Sequence, residues 1–270
     1  MSSVSVIIAA GGAGRRFAAA DPAGRTAGHS VPGASRGAST PSSAAAAPML
    51  RRTGKVFLPL AGRPVLAHTL DRFDEVESVV EAVVAVPADA LALARQTFGD
   101  RLRSGRPLRF VAGGPDRTES VACALAVGDP KADLVAIHDA VRPLIRPAVI
   151  REALRVASEH GAAVVGRPVD HTVKEVSPSR EIVRTVPRTS LWIAQTPQVF
   201  RRETIVRAYA ARGATAGRVT DDAQLVEAMG LPVMMVEGDA ANIKVTTPED
   251  LRLCESLLAA GWPFESPQQD

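Results

Sequence analysis

The arrangement that most limits what this chain can become is a repeated alternation of short apolar runs with amphipathic stretches. Residues 4–10 (VSVIIAA), 79–86 (VVEAVVAV) and 134–137 are apolar and largely β-branched, and 162–165 and 233–236 are weaker versions of the same pattern. Runs of this length read as buried strands. Between them lie stretches with helical spacing: 64–73, 88–98, 120–127, 147–160, 221–229 and 248–260. Strands alternating with helices predict βαβ units, and so an α/β fold with a mostly parallel sheet flanked by helices. Sheets of that kind bind ligands outside the carboxyl ends of their strands. The functional residues are therefore sought where the apolar runs stop.

Two stretches break the alternation. Residues 21–52 are dominated by Ala, Ser, Gly and Pro and carry almost no large apolar side chain. Such a composition cannot offset its ordering entropy by burial, which predicts a mobile insertion. Residues 168–192 instead alternate as two short strands, HTVKEV and EIVRTV, around Ser-Pro-Ser. That is a β-hairpin arm protruding from the body. A lone hairpin is marginal in water, so the arm is expected to pack on a second copy of the chain. The whole of 1–270 reads as one domain carrying these two additions.

Composition excludes several classes. The net charge is only +3, and two Trp, one Tyr and seven Phe offer no basic stripe interleaved with aromatics, so nucleic acid is not an expected partner. The first apolar run is too short to span a membrane and has no basic segment before it, which points to a cytosolic protein with no membrane partner. Cys123 and Cys254 have neither metal-type spacing nor the number needed for a disulfide framework. Lysine is scarce, with Lys55, Lys131, Lys174 and Lys244 the only four.

The ends of the apolar runs carry the chemistry. AAGGAGRRF follows the first run, and a glycine-rich turn there lets backbone N–H groups approach phosphate oxygens, with Arg15 and Arg16 as charge-assisted donors. It is not a P-loop, since no Gly-Lys-Ser/Thr follows. GGPDRTESV at 113–121 is a second glycine turn, in which Thr118 or Ser120 could cap the next helix, or Arg117 and Ser120 could face a ligand. HDAVRP at 138–143 ends a buried strand with charge, which is costly unless paired or functional. Asp139 there suits Mg²⁺, which takes one or two carboxylates together with substrate phosphates. Arg142 could instead be an ion-pair partner for Asp139, and His138 reads as a hydrogen-bonded structural residue. In NIKVTTPEDL, Thr247 to Asp250 make a good helix start, and Lys244 just before it would want an anion. The acids of TDDA at 220–223 are explained by capping.

Taken in order, AAG..GRR, KVFLPL, GG.DR..SV, HDAVRP, P..HTVKEV, VPRTSLW.AQTPQVF, TDDA and NIKVTTPEDL resemble the 2-C-methyl-D-erythritol 4-phosphate cytidylyltransferases, and they cover nearly all of the chain outside 21–52. The resemblance implies a Rossmann-like nucleotidyltransferase fold and transfer of CMP from CTP to a polyol phosphate. It implies that Ala9, Ala10, Gly11, Gly14 and Arg16, with Lys55, hold the CTP phosphates. Gly114 and Ser120 would contact the cytosine, with Arg117 supporting that loop. Asp139 would bind Mg²⁺ and Arg142 would lie on the polyol side. Thr172 and Arg188 would reach the methylerythritol phosphate of the other subunit in a homodimer, and Lys244 would stabilise the reacting α-phosphate. Arg16, Lys55 and Lys244 are the implied catalytic set. The glycine loop has one residue more than the family pattern, and about thirty extra residues separate it from Lys55, a length that loop-closure entropy tolerates. A ribitol 5-phosphate cytidylyltransferase has similar motifs, and a non-catalytic nucleotide-binding protein could share the fold.

Overall fold

A computed structural model describes residues 2–11, 54–214 and 219–262. Gly14, Arg15, Arg16 and the 21–52 insertion lie outside the described residues. The first apolar run forms β1 (Val4–Ala9). Then follow the two-residue strands β2 (Pro59–Leu60) and β3 (Arg63–Pro64), helix α1 (Val65–Asp74), β4 (Val79–Val86), α2 (Leu91–Phe98), β5 (Leu108–Ala112), α3 (Arg117–Val127) and β6 (Leu134–Asp139). The second half comprises α4 (Pro147–His160), β7 (Ala162–Pro168), the hairpin β8 (Val173–Val176) and β9 (Ile182–Val186), β10 (Trp192–Arg201), α5 (Arg202–Ala210), α6 (Ala223–Glu227), β11 (Met234–Glu237) and α7 (Pro248–Ala259).

Seven strands form one sheet in the order β11-β7-β10-β6-β1-β4-β5. Pairing is parallel for β1 with β4 and β6, β4 with β5, and β7 with β11, whereas β10 runs antiparallel to both β6 and β7. The predicted mostly parallel α/β sheet is thus present, with β10 as the exception. Its Pro197 would remove a ladder hydrogen bond from a central strand. The ladder to β7 shifts register between Ala194 and Gln198, which leaves Pro197 outside the regular pairing.

Alternation along the strands sends side chains to two cores. Val4, Val6 and Ile8 of β1 pack under α1, α4 and α7 with Phe73, Ile150 and Cys254, while Ile7 packs on the other side with Val121, Ile205 and Leu225. All of these are fully buried, and each large aliphatic side chain removed from water contributes about 1.5–3 kcal/mol. Coverage on both faces explains why these strands read as continuous apolar runs. The arm is the opposite case. Val176, Ile182 and Val183 are more than half exposed, and among the described residues β8 and β9 pair only with each other.

Helix ends follow local chemistry. Thr247 and Asp250 form a full capping box at the start of α7, with Pro248 at its first position. The start of α3 is capped by Asp116, whose side chain accepts from Glu119 N at 2.8 Å, and not by Thr118 or Ser120. Asp116 wins because it stands in the extended conformation one residue before the helix.

Candidate active site

β1 is where the sheet's strand order reverses, and β6 lies against it with Ala9 opposite Asp139. The crevice at their carboxyl ends is the ligand position expected for such a sheet. Its floor is fixed by the backbone: Ala10 N donates to Ala85 O and Ala140 N to Ala9 O. Side-chain bulk is missing for a reason at two of its glycines. A Cβ on Gly11 would lie 2.8 Å from Ser120 Oγ, and one on Gly114 would lie 2.4 Å from Glu119 Cβ. The N-terminal turn of α3 therefore presses directly onto the end of β1, with no room for a side chain at either glycine. Ser120, implied by the resemblance as a base contact, is fully buried, and its hydroxyl donates to Asp116 O at 2.6 Å. It braces the 113–120 turn from within.

Asp139 is the centre of the charge. Only 5% exposed, it accepts an ion pair from Arg117 on one oxygen at 3.1 Å. Its other oxygen meets Lys244 Nζ at 2.8 Å and Arg142 Nε at 3.4 Å. Burial pushes the Asp139 carboxyl up, but Arg117, Lys244 and Arg142 overcome this and hold it well below the usual carboxylate range. Arg117 also pairs with Asp222 at 2.8 Å. Burial disfavours its charge, yet Asp222 and Asp139 hold it more basic than usual. Lys55 donates to Val245 O at 3.2 Å, which brings the second expected lysine to the same loop as Lys244. Among the described residues, the three cations Arg117, Arg142 and Lys244 thus stand against the two carboxylates Asp139 and Asp222. Such a crevice attracts an anion.

His138 is buried in the middle of this network. Burial pushes its imidazole down to about 3. It lies between the Thr196 hydroxyl (Nδ1 to Oγ1, 3.0 Å) and Arg142 O (Nε2 to O, 3.2 Å), the structural role expected of it. Thr196 Oγ1 also accepts from Asp139 N at 3.1 Å.

Of the residues implied by the resemblance, Ala9, Ala10, Gly11, Lys55, Gly114, Arg117, Ser120, Asp139, Arg142 and Lys244 gather at this crevice. Thr172 and Arg188 do not: Arg188 donates to Asp170 O on the arm itself, and no described hydrogen bond or ion pair joins either residue to the Asp139 cluster. Three participants are new. Asp222 is 1% exposed and accepts from the Tyr209 hydroxyl as well as pairing with Arg117. In TDDA it is Asp221 that caps, by accepting from Gln224 N at 3.1 Å, so capping explains one acid of the pair. Tyr209 and Thr196 had no local signal, because their partners are distant in sequence. A sequence pair such as Asp221-Asp222, with more acids than one helix start needs, was the available hint for Asp222.

A parallel α/β sheet with a glycine-lined, cation-rich crevice at its switch point defines a nucleotidyltransferase-type nucleotide-binding protein. A sequence profile of the IspD family, 2-C-methyl-D-erythritol 4-phosphate cytidylyltransferase, matches residues 41–260. The enzyme of that name from Caldanaerobacter subterraneus subsp. tengcongensis is 40% identical over 210 residues, 78% of this chain and 92% of its own length. The one from Symbiobacterium thermophilum is 43% identical over 206 residues, 76% of this chain and 85% of its own. Among solved structures, the 2-C-methyl-D-erythritol 4-phosphate cytidylyltransferase of Thermus thermophilus superposes with a TM-score of 0.68 at 30% identity, covering 95% of this chain and 99% of that one. The 4-diphosphocytidyl-2C-methyl-D-erythritol synthase of Anaerococcus prevotii gives 0.73 at 25% identity, covering 96% and 99%. The chain belongs to the 2-C-methyl-D-erythritol 4-phosphate cytidylyltransferase family.

Proposed function

We propose that this chain transfers the cytidylyl group of CTP to 2-C-methyl-D-erythritol 4-phosphate, giving 4-diphosphocytidyl-2-C-methyl-D-erythritol and pyrophosphate. The observation that carries the reading is the convergence of Arg117, Arg142 and Lys244 on Asp139, beside glycines that admit no side chain, with Lys55 tied to the loop that carries Lys244. An oxygen of the methylerythritol phosphate attacks the α-phosphorus of CTP. The new P–O bond forms as the bond to the β-phosphate oxygen breaks, and pyrophosphate leaves with that electron pair. A phosphate monoester is largely ionised at neutral pH, since its second pKa is about 6. No general base is required, which agrees with a His138 held neutral inside the network. Catalysis is then a matter of aligning two anions and stabilising charge at phosphorus.

Lys244 and Lys55 act on the reacting phosphates, together with Arg16. Ala9, Ala10, Gly11 and Gly14 offer main chain to the triphosphate, and the 113–120 turn takes the cytosine through Gly114, held by Ser120. Arg142 faces the polyol phosphate. Among the described residues no group of three or more His, Cys, Asp or Glu could hold a metal. Asp139 is a single carboxylate already surrounded by cations, so its donor set suits a Mg²⁺ that arrives with the triphosphate and not one resident in the protein. Bound there, the ion supplies neutralisation of phosphate charge. The exposed apolar side chains of the arm support a homodimer in which Thr172 and Arg188 serve the neighbouring subunit's substrate. No helix among the described residues is long and apolar enough to cross a membrane.

The test is pyrophosphate release by the purified protein from CTP and Mg²⁺, with 2-C-methyl-D-erythritol 4-phosphate or D-ribitol 5-phosphate as acceptor. Turnover with the first and not the second is expected. Turnover with ribitol phosphate alone, or with neither, overturns the assignment.

A further inference from the structure

Lys244 stands on neither a helix nor a strand. Residues 238–247 form a loop between β11 and α7, so its side chain must be located by something other than regular backbone. Asn242, 1% exposed, meets that need. Its carboxamide donates to Gln195 Oε1 at 3.0 Å and to Thr196 O at 2.9 Å, both on β10. Gln195 in turn donates from Nε2 to Asp239 O at 2.9 Å, back on the loop. Gly238 leaves room for this pair, since a Cβ there would lie 2.6 Å from Gln195 Oε1. The main-chain oxygen of Asn242 accepts from Arg142 Nη1 at 2.8 Å. Two residues on, Lys244 reaches Asp139, and Val245 N donates to Val141 O at 2.8 Å. Thr196, whose carbonyl Asn242 holds, is also the residue whose hydroxyl accepts from Asp139 N.

We propose that Asn242 is a positioning residue for the transfer reaction, fixing the 239–245 loop against β10 so that Lys244 and Arg142 stand in register on Asp139. This rests on the reading of Lys244 as the cation at the reacting phosphate. The chemistry selects an amide: both groups facing Asn242 Nδ2 are oxygen acceptors, so a carboxylate there would face two lone pairs. An alanine would leave Gln195 Oε1 and Thr196 O buried without that donor. Misplacement of a catalytic group by about 1 Å can cost on the order of a hundredfold in rate.

The test is a double-mutant cycle on the full chain, measuring kcat, KM for CTP and melting temperature for Asn242→Ala, Lys244→Ala and the double variant. Asn242→Ala is expected to lower kcat at least tenfold with KM for CTP changed less than threefold. In the Lys244→Ala background the same substitution is expected to cost no more than threefold, because the group it positions is gone. Gln195→Met, which removes one acceptor and the tie to Asp239 O without burying a charge, should lower kcat less and likewise lose its effect beside Lys244→Ala. It carries the test if Asn242→Ala fails to fold. Equal losses in both backgrounds, or an unchanged kcat in either single variant, overturn the positioning role. Full activity of Lys244→Ala would instead overturn the reading of Lys244 itself.

Discussion

The crevice around Asp139 and the β8–β9 arm solve the problem of exposed chemistry in opposite ways. In the crevice, charge is buried and every carboxylate oxygen of Asp139 has a cation within 3.4 Å. Its described parts come from β6, α3, β10 and the loop before α7. The arm keeps its charge on the surface, in pairs such as Arg184 with Glu175, and leaves Ile182 and Val183 60% exposed. Buried charge at a strand end is costly unless it is used, and exposed apolar surface on a hairpin is unstable unless covered. In the proposed reading, the first region serves a small anion and the second a neighbouring copy of the chain.

The largest effect that would break this comparison is at Asp139. Replacing it with alanine leaves Arg117, Arg142 and Lys244 facing one another without their shared carboxylate. We expect turnover to fall at least a hundredfold and stability to fall by about 3–5 kcal/mol, the range for breaking a buried ion pair. Denaturant unfolding and pyrophosphate release measure both, and a stable, active variant would show that the cluster is ornamental. At the arm, Ile182→Glu should turn a dimer into a monomer in sedimentation and raise KM for the methylerythritol phosphate by about tenfold, while KM for CTP stays within twofold, since one substrate phosphate contact is of that size. Loss of CTP binding would place the arm in the nucleotide site.

Asp222→Asn is a smaller perturbation. It keeps the shape but weakens the second hold on Arg117 and the acceptor for Tyr209. A cost of about 1–3 kcal/mol is expected by chemical denaturation, as for one charged hydrogen bond lost inside a protein. No change in stability would mean that Arg117 needs only Asp139.

A further effect concerns pH. His138 sits at about 3 in the folded chain against an ordinary value of 6.5. Between these values the unfolded chain binds a proton that the folded chain refuses, so stability is full above 6.5 and is lost as pH falls toward 3. One such group contributes a slope of about 1.4 kcal/mol per pH unit. Without nucleotide or metal, the stability of His138→Gln should be flatter than that of the parent by that amount between pH 6 and 4. Parallel slopes would mean that His138 is not shielded from water.

Much of this organisation was legible from residues alone, and the gaps have physical causes. The runs at 79–86 and 147–160 coincide with β4 and α4 because apolar periodicity there is strong and the ends are marked by Pro and Gly. The crevice was legible because charge at the end of an apolar strand, as in HDAVRP, is rarely accidental. β10 was not, since Pro197 argues against a central strand and only a register shift beside β7 accommodates it. β5 was missed because a five-residue strand alternating as LRFVA has too little pattern to stand out. Asn242 and Thr196 carry no local signature at all: their roles come from contacts across more than 40 residues.

The most direct test of the central claim, that cations gathered on Asp139 form the reaction centre, is turnover and melting of Lys244→Ala measured on one preparation. Arg117 and Arg142 still compensate Asp139 when Lys244 is removed. Turnover should therefore fall more than tenfold with a melting temperature within about 4 °C of the parent, equivalent to 1 kcal/mol or less. Undiminished turnover, or an early-melting protein whose folded fraction keeps the parent rate, would contradict that claim.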